Sequence, residues 1–133
     1  MYSKYKIPVT SFVITYWYGD RAKDKQQYVD YESHSYDMHK AGKNGKGVML
    51  SWDYDKIKDD VLLSSEVLGG ANIFCYPFGQ YNDLDMKVLK ENGYKLAFTT
   101  KAGRVKKSSS KYELPRVRIS GNTSLSEFIK KVE

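Results

Sequence analysis

The chain's only two histidines, His34 and His39, stand five residues apart in the run Tyr31-Glu32-Ser33-His34-Ser35-Tyr36-Asp37-Met38-His39. Imidazole nitrogens bind divalent metals, so the spacing decides whether one ion can take both. On a helix, five residues turn through about 140°, and the rings would face apart. They converge if a strand ends near His34 and the chain turns before His39. Residues 29–33 have the apolar-polar pattern of a short strand, and Ser35 and Asp37 suit a turn. The spacing therefore supports half of a metal site at the carboxyl end of a strand. Taken alone, two such histidines also fit an ordinary surface role. Asp37 reads either as an extra ligand or as an Asx-type cap on the turn. A second group, Tyr76-Pro77-Phe78-Gly79, follows an apolar run and reads as a rim motif or simply as a tight turn. Cys75 beside it reads as a small core residue, because no Cys–His motif accompanies it.

These residues need strands that deliver them to one place. Residues 7–15 form an apolar, β-branched run without clean alternation, as in a strand buried on both faces of a parallel sheet. Pro8 sits at its start, where a missing N–H costs least. Residues 20–27 read as a polar connector and 28–33 as the second strand. Residues 40–47, with three glycines and three lysines, read as a flexible loop. Ser51 is the expected N-cap of a helix to residue 68, with Asp53 and Asp55 at its positive end and Ile57, Val61 and Leu68 on one stripe. Gly69-Gly70 ends it. Residues 71–76 form a third strand, and Asn82 caps a helix to residue 92. Residues 94–99 and 114–119 are the fourth and fifth strands, joined by a basic, serine-rich loop at 101–111. The last helix has Thr123 or Ser124 as cap, Glu127 in reach of Ser124, and Leu125, Phe128, Ile129 and Val132 on one face. Strands alternating with helices imply an α/β fold with parallel pairing and right-handed crossovers. Sites in such sheets form beyond the carboxyl ends of strands, so both motifs open on the same rim.

Composition bounds the rest. A chain of 133 residues is one domain, spanning residues 1–133, with a single core. No apolar run approaches the roughly 18 to 20 residues of a membrane span. One cysteine excludes an internal disulfide. The net charge of +6 is spread over many lysines rather than gathered in an arm, so no nucleic-acid partner is expected. Twelve tyrosines and two tryptophans are more suggestive, since aromatic faces commonly line sugar grooves.

Several of these segments together resemble a known family. Lys4-Tyr5-Lys6-Ile7-Pro8-Val9-Thr10-Ser11-Phe12-Val13-Ile14 resembles the second strand of polysaccharide deacetylases, the NodB-homology domains of carbohydrate esterase family four. Glu32-Ser33-His34-Ser35-Tyr36-Asp37-Met38-His39 resembles their histidine motif, with the longer spacing of the poly-β-1,6-N-acetylglucosamine deacetylase branch. Phe74-Cys75-Tyr76-Pro77-Phe78-Gly79-Gln80-Tyr81-Asn82 resembles that branch's proline motif. Gly93-Tyr94, Phe98-Thr99-Thr100 and Leu114-Pro115-Arg116-Val117-Arg118 resemble its later segments. The resemblance implies a distorted (β/α) barrel and hydrolysis of an acetyl group on a sugar. It implies a divalent metal, commonly zinc, held by one aspartate and two histidines, with a second aspartate as general base. Carried over, His34 and His39 are metal ligands and Ser35 braces their loop. The Phe78 backbone N–H is an oxyanion donor. Tyr76, Pro77, Phe78 and Tyr81 line the groove for an acetylated amino-sugar polymer.

The departures are as informative. No Asp-Asp-Gly motif precedes Ile7, and Asp59-Asp60 falls mid-helix, where it cannot replace one. The site thus lacks its carboxylate ligand and base, and no third histidine supplies a general acid. Cys75 stands where many members have an arginine. The helix before the histidine strand is expected to be shortened to residues 20–27 at most. The expectation is a partial barrel lacking its first strand, an N-terminally truncated and impaired N-deacetylase. The alternatives are a non-catalytic relative that binds glycans or a partner, and a fragment without function of its own. Loss of the first strand would bare the flank of residues 12–15, so homo-oligomerisation through an open sheet edge is expected. The resemblance implies work outside the cell or at the cell wall, although the opening residues carry no signal segment. Arg116 and Arg118 face either substrate or solvent.

Overall fold

The computed structural model describes residues 2–133. A single turn, α1 (Tyr2–Tyr5), leads into β1 (Val9–Val13), α2 (Thr15–Lys23) and β2 (Val29–Ser33). A 3-10 turn at Val48–Ser51 precedes α3 (Tyr54–Val67) and β3 (Ile73–Cys75), and a second at Pro77–Gly79 precedes α4 (Asp83–Glu91). Then come β4 (Leu96–Ala102), β5 (Leu114–Arg116) and α5 (Leu125–Val132). The five strands form one parallel sheet in the order β1-β2-β3-β4-β5.

One face of the sheet is closed by helices. Phe74 and Ala97 point from the strands onto Ile57 and Val61 of α3 and Val88 and Leu89 of α4, all fully buried. Strand alternation sends the intervening residues to the other face. There Phe12 of β1 and Phe98 of β4 meet edge to face with centroids 5.9 Å apart. In a flat sheet those strands would lie about 14 Å apart, three spacings of about 4.8 Å. The sheet is therefore strongly curled, as in part of a barrel.

Several elements differ from the sequence expectation. The first strand stops at Val13, and α2 begins at Thr15 instead of leaving a connector at 20–27. The helix ahead of the histidine strand is thus nine residues long and begins five residues earlier than the 20–27 segment expected for it. Its two buried residues are Thr15, which bonds to the Ser35 carbonyl, and Gly19, which seats on α3, where a Cβ would lie 2.6 Å from Val67 Cγ1. No apolar stripe advertises that face. Ser51 is not the cap of α3. Its hydroxyl donates to the Val48 carbonyl within the 3-10 turn, and Asp53 accepts the Lys56 N–H instead. The fifth strand ends at Arg116 rather than 119, after a register shift against β4. Residues 94–95 precede β4, which runs on to Ala102 and takes the start of the basic loop. Asn82 caps α4 as expected and forms a capping box with Asp85, and the expected pairing of Ser124 with Glu127 is a capping box as well.

Candidate functional site

The histidine loop begins where β2 ends. Parallel pairing with β1 continues one residue past the strand, through the His34 N–H to the Val13 carbonyl at 2.9 Å. The chain then reverses at Ser35, whose φ of 76° is rare for a residue with a side chain. Ser33 Oγ accepts the Ser35 N–H at 3.1 Å, and Ser35 Oγ accepts the Met38 N–H at 3.1 Å. Ser35 therefore caps the turn, and Asp37 does not. The Asp37 carboxylate instead pairs with Lys40, so its expected role as the turn's cap is not observed.

Two helices hold this loop in place. The first N–H groups of α2 have no partner within their own helix. Those of Thr15 and Tyr16 donate to the carbonyls of Ser35 and Tyr36, each at 3.1 Å. From the other side, the carboxylate of Asp60 on α3 accepts the N–H groups of Tyr36 and Asp37 at 2.7 and 2.8 Å. Burial raises Asp60 to about 6 despite those two donors. Sequence reasoning set Asp60 aside as a mid-helix acid. Its role carries no local signal, because it depends on what α3 packs against.

The result brings the two histidines together. Their ring centroids lie 4.9 Å apart. His34 Nδ1 lies 2.6 Å from the Cys75 carbonyl, which can only accept, so Nδ1 carries the proton and Nε2 keeps its lone pair. Burial is the main reason His34 is held below the ordinary imidazole value. The Cys75 carbonyl opposes this, and the charges of His39 and Arg116 add to it. His39 packs against the Phe78 ring at 4.2 Å, so the histidine and proline motifs do meet on one rim.

The Pro77–Gly79 turn is equally constrained. Phe78 is held at φ 57° with its ring 47% exposed, and Gly79 at φ 70° has no room for a Cβ beside the Thr100 side chain. Gln80 Oε1 accepts the Gly47 N–H at 2.8 Å, tying the loop at 40–47 to this turn. The expected groove residues separate here. Phe78 faces solvent. Tyr76 and Pro77 are buried, so their side chains support the rim from beneath rather than lining it. Tyr76 donates to the Tyr112 carbonyl and stacks on Tyr81 at 4.6 Å. Tyr81 is half-buried and donates to Glu113 at 2.7 Å.

Arg116 resolves towards the inner face of the sheet. Its guanidinium lies over Phe12 and Phe98 at 5.7 and 5.6 Å, with Nη1 3.6 Å from Cys75 Sγ. Burial pushes the Cys75 thiol up, which suits a packing residue. Beside His34 an open cleft of about 550 Å³ runs along β1 past Phe12, Ile14, Tyr18 and Tyr31. Among the described residues no group of three or more His, Cys, Asp or Glu side chains is placed to hold a metal ion.

This arrangement has counterparts of known kind. A family model described as polysaccharide deacetylase matches residues 1–97. Poly-beta-1,6-N-acetyl-D-glucosamine N-deacetylase of Staphylococcus aureus is 30% identical over 136 residues, covering 88% of this chain and 47% of that protein. The chain thus spans about half the length of the curated relatives it matches. Among solved structures, Streptococcus pyogenes deacetylase PplD in complex with acetate is similar with a TM-score of 0.84 at 22% identity, over 99% of this chain and 62% of that one. IcaB from Ammonifex degensii is similar with a TM-score of 0.80 at 20% identity, over 98% and 64%. These two share the fold, a five-stranded parallel sheet with helices and part of a barrel. Residues, geometry and relatives agree, and the chain belongs to the polysaccharide deacetylase family.

Proposed function

We propose that this chain carries the histidine half of a hydrolase site that removes N-acetyl groups from an amino-sugar polysaccharide. The observation that carries the reading is the His34–His39 pair, 4.9 Å apart, with the His34 tautomer fixed by the Cys75 carbonyl. A carbonyl on the far ring nitrogen is the usual support of a metal-binding imidazole. The name of the Staphylococcus aureus relative points to the same substrate class, a polymer of N-acetylglucosamine.

The donor set fits a zinc-type ion in part, with two neutral imidazoles of the three or four protein ligands such sites use. When bound, the ion would polarise the acetyl carbonyl and make its water more acidic. The chain's own residues do the rest of what they can. His34 and His39 would hold the ion, while Ser35 and Asp60 keep their loop from opening. The Phe78 N–H serves as oxyanion donor at the rim. The Phe78 ring and Tyr81 line the groove, with Tyr76 and Pro77 as its floor. Hydrolysis breaks the amide C–N bond and gives acetate and a free amine.

No carboxylate ligand or base is grouped with the histidines among the described residues. We therefore expect residues 1–133 by themselves to bind zinc weakly and turn over slowly. Acetate release from an N-acetylglucosamine oligomer with added zinc checks this. A rate far below that of an intact family member is expected, and a comparable rate would overturn the impairment. The same missing groups favour a second reading, a glycan-binding relative without catalysis. Oligomer binding that persists in chelator, without acetate release at any zinc concentration, would select it. On either reading the polymer places the work at the cell wall or outside the cell. No described helix is long and apolar enough to cross a membrane. β1 stands at the edge of the sheet, and we propose self-association through it. A monomeric elution at high concentration would count against that.

A further inference from the structure

We propose that Trp17, flanked by Tyr16 and Tyr18, is a sugar-stacking subsite that extends the rim beyond His39. The proposal rests on reading the site as one for acetylated amino sugars. These three consecutive aromatics open α2, and their side chains are 61%, 53% and 44% exposed in chain order. They do not hold the helix down. α2 docks through Thr15 and Gly19, its two buried residues, and Gly19 lets it approach Val67. Small residues thus face the protein and the largest ones face solvent, the reverse of an ordinary surface helix.

Their position is fixed relative to the histidines. The Thr15 and Tyr16 N–H groups are bonded to the histidine loop itself, and Tyr16 packs edge to face on Tyr36 at 5.5 Å. From there the rings form a row. Tyr18 lies 6.4 Å from Trp17, Trp17 lies 6.3 Å from His39, and His39 lies 4.2 Å from Phe78. An exposed aromatic patch continuous with a candidate site calls for a ligand rather than for solvent. A pyranose suits it, with an apolar C–H face for the rings and hydroxyls at the edge. Rigid aromatic rings offer that face at low entropic cost. Polar groups for the hydroxyls flank the row, including Arg21, which lies over Tyr18 at 5.3 Å, and the Asp20–Lys23 pair. The occupant is the sugar unit next to the one at the histidines.

The chain has two tryptophans, so Trp52→Phe leaves Trp17 as the sole tryptophan, excited selectively over the tyrosines at the red edge of its absorption. That variant is titrated in chelator with an N-acetylglucosamine tetramer, and wild type, Trp17→Ala and Trp17→Phe are compared by calorimetry. A saturable blue shift is expected, with affinity about tenfold weaker in Trp17→Ala and partly kept in Trp17→Phe. Circular dichroism of both variants should match wild type. If the tetramer binds wild type but neither the emission nor the Trp17→Ala affinity changes, the subsite is overturned and the substrate reading stands. A shift that follows protein concentration without tetramer assigns the face to a second copy and also overturns it. No binding to wild type overturns the subsite and the substrate reading together.

Discussion

Helices α4 and α5 are both opened by a capping box, Asn82 with Asp85 in one and Ser124 with Glu127 in the other, and each carries an apolar stripe. In α4 the stripe is covered, and Val88 and Leu89 are fully buried. In α5 nothing is buried, and Leu125 is 74% exposed. What fastens α5 is polar and sits at its end. Arg104 Nη2 donates to the carbonyls of Lys130 and Lys131 at 3.1 and 2.9 Å, and Lys131 Nζ donates to the Arg118 carbonyl. Caps and periodicity decide that a helix forms and which side is apolar. They do not decide what covers that side.

The sharpest way to break this comparison is to truncate both stripes. Leu89→Ala is expected to cost about 3 kcal/mol in denaturant unfolding, the scale of a cavity in a packed core. Ile129→Ala, half-exposed on α5, is expected to cost less than about 0.5 kcal/mol. Equal costs would mean that α5 is covered in solution.

Asp60 and Asp85 extend the comparison to buried acids with and without full partners. Asp60→Ala would strand the N–H groups of Tyr36 and Asp37, at a cost of about 2 to 3 kcal/mol. The histidine loop should show it directly, as faster amide exchange at residues 35–38 than elsewhere. A stability loss without local exchange would show that Asp60 supports α3 rather than the loop.

Asp85 has one buried oxygen on the Asn82 N–H and another, Oδ1, without a partner, and burial raises it to about 6 from an ordinary 3.8. The folded form thus keeps its proton up to about pH 6, while the unfolded chain releases it near pH 4. Stability from this group is complete below pH 4 and declines as pH rises to 6. Asp60 contributes a slope of the same sign. Asp85→Asn should remove about half of that decline, on the order of 1 to 2 kcal/mol, in unfolding curves from pH 4 to 7. An unchanged slope would mean that water reaches Asp85.

Much of this arrangement was legible in the residues. The strand–turn rhythm, the caps at Asn82 and Ser124 and the meeting of the histidine and Tyr-Pro-Phe-Gly motifs all follow from local chemistry. What escaped were features made by distant partners. α2 was hidden because its docking face is Thr15 and Gly19, while its aromatics look like strand or loop residues by propensity. Asp60 was hidden because its acceptors serve a loop more than twenty residues away in sequence. Ser51 and Asp53 are both good caps, and only the 3-10 turn, which takes up Ser51, decides for Asp53. Tyr76 shares its motif with Phe78, but alternation along β3 turns it into the core.

The claim on which the rest depends is that His34 and His39 act as one pair. Calorimetric zinc titration of the 133-residue chain, beside His34→Ala and His39→Ala, tests it most directly. One ion per chain is expected in wild type, with affinity at least about tenfold weaker in either variant, because each removes half of the donor pair. Zinc uptake unchanged by both substitutions would contradict the pair, and with it the placement of the site on this rim.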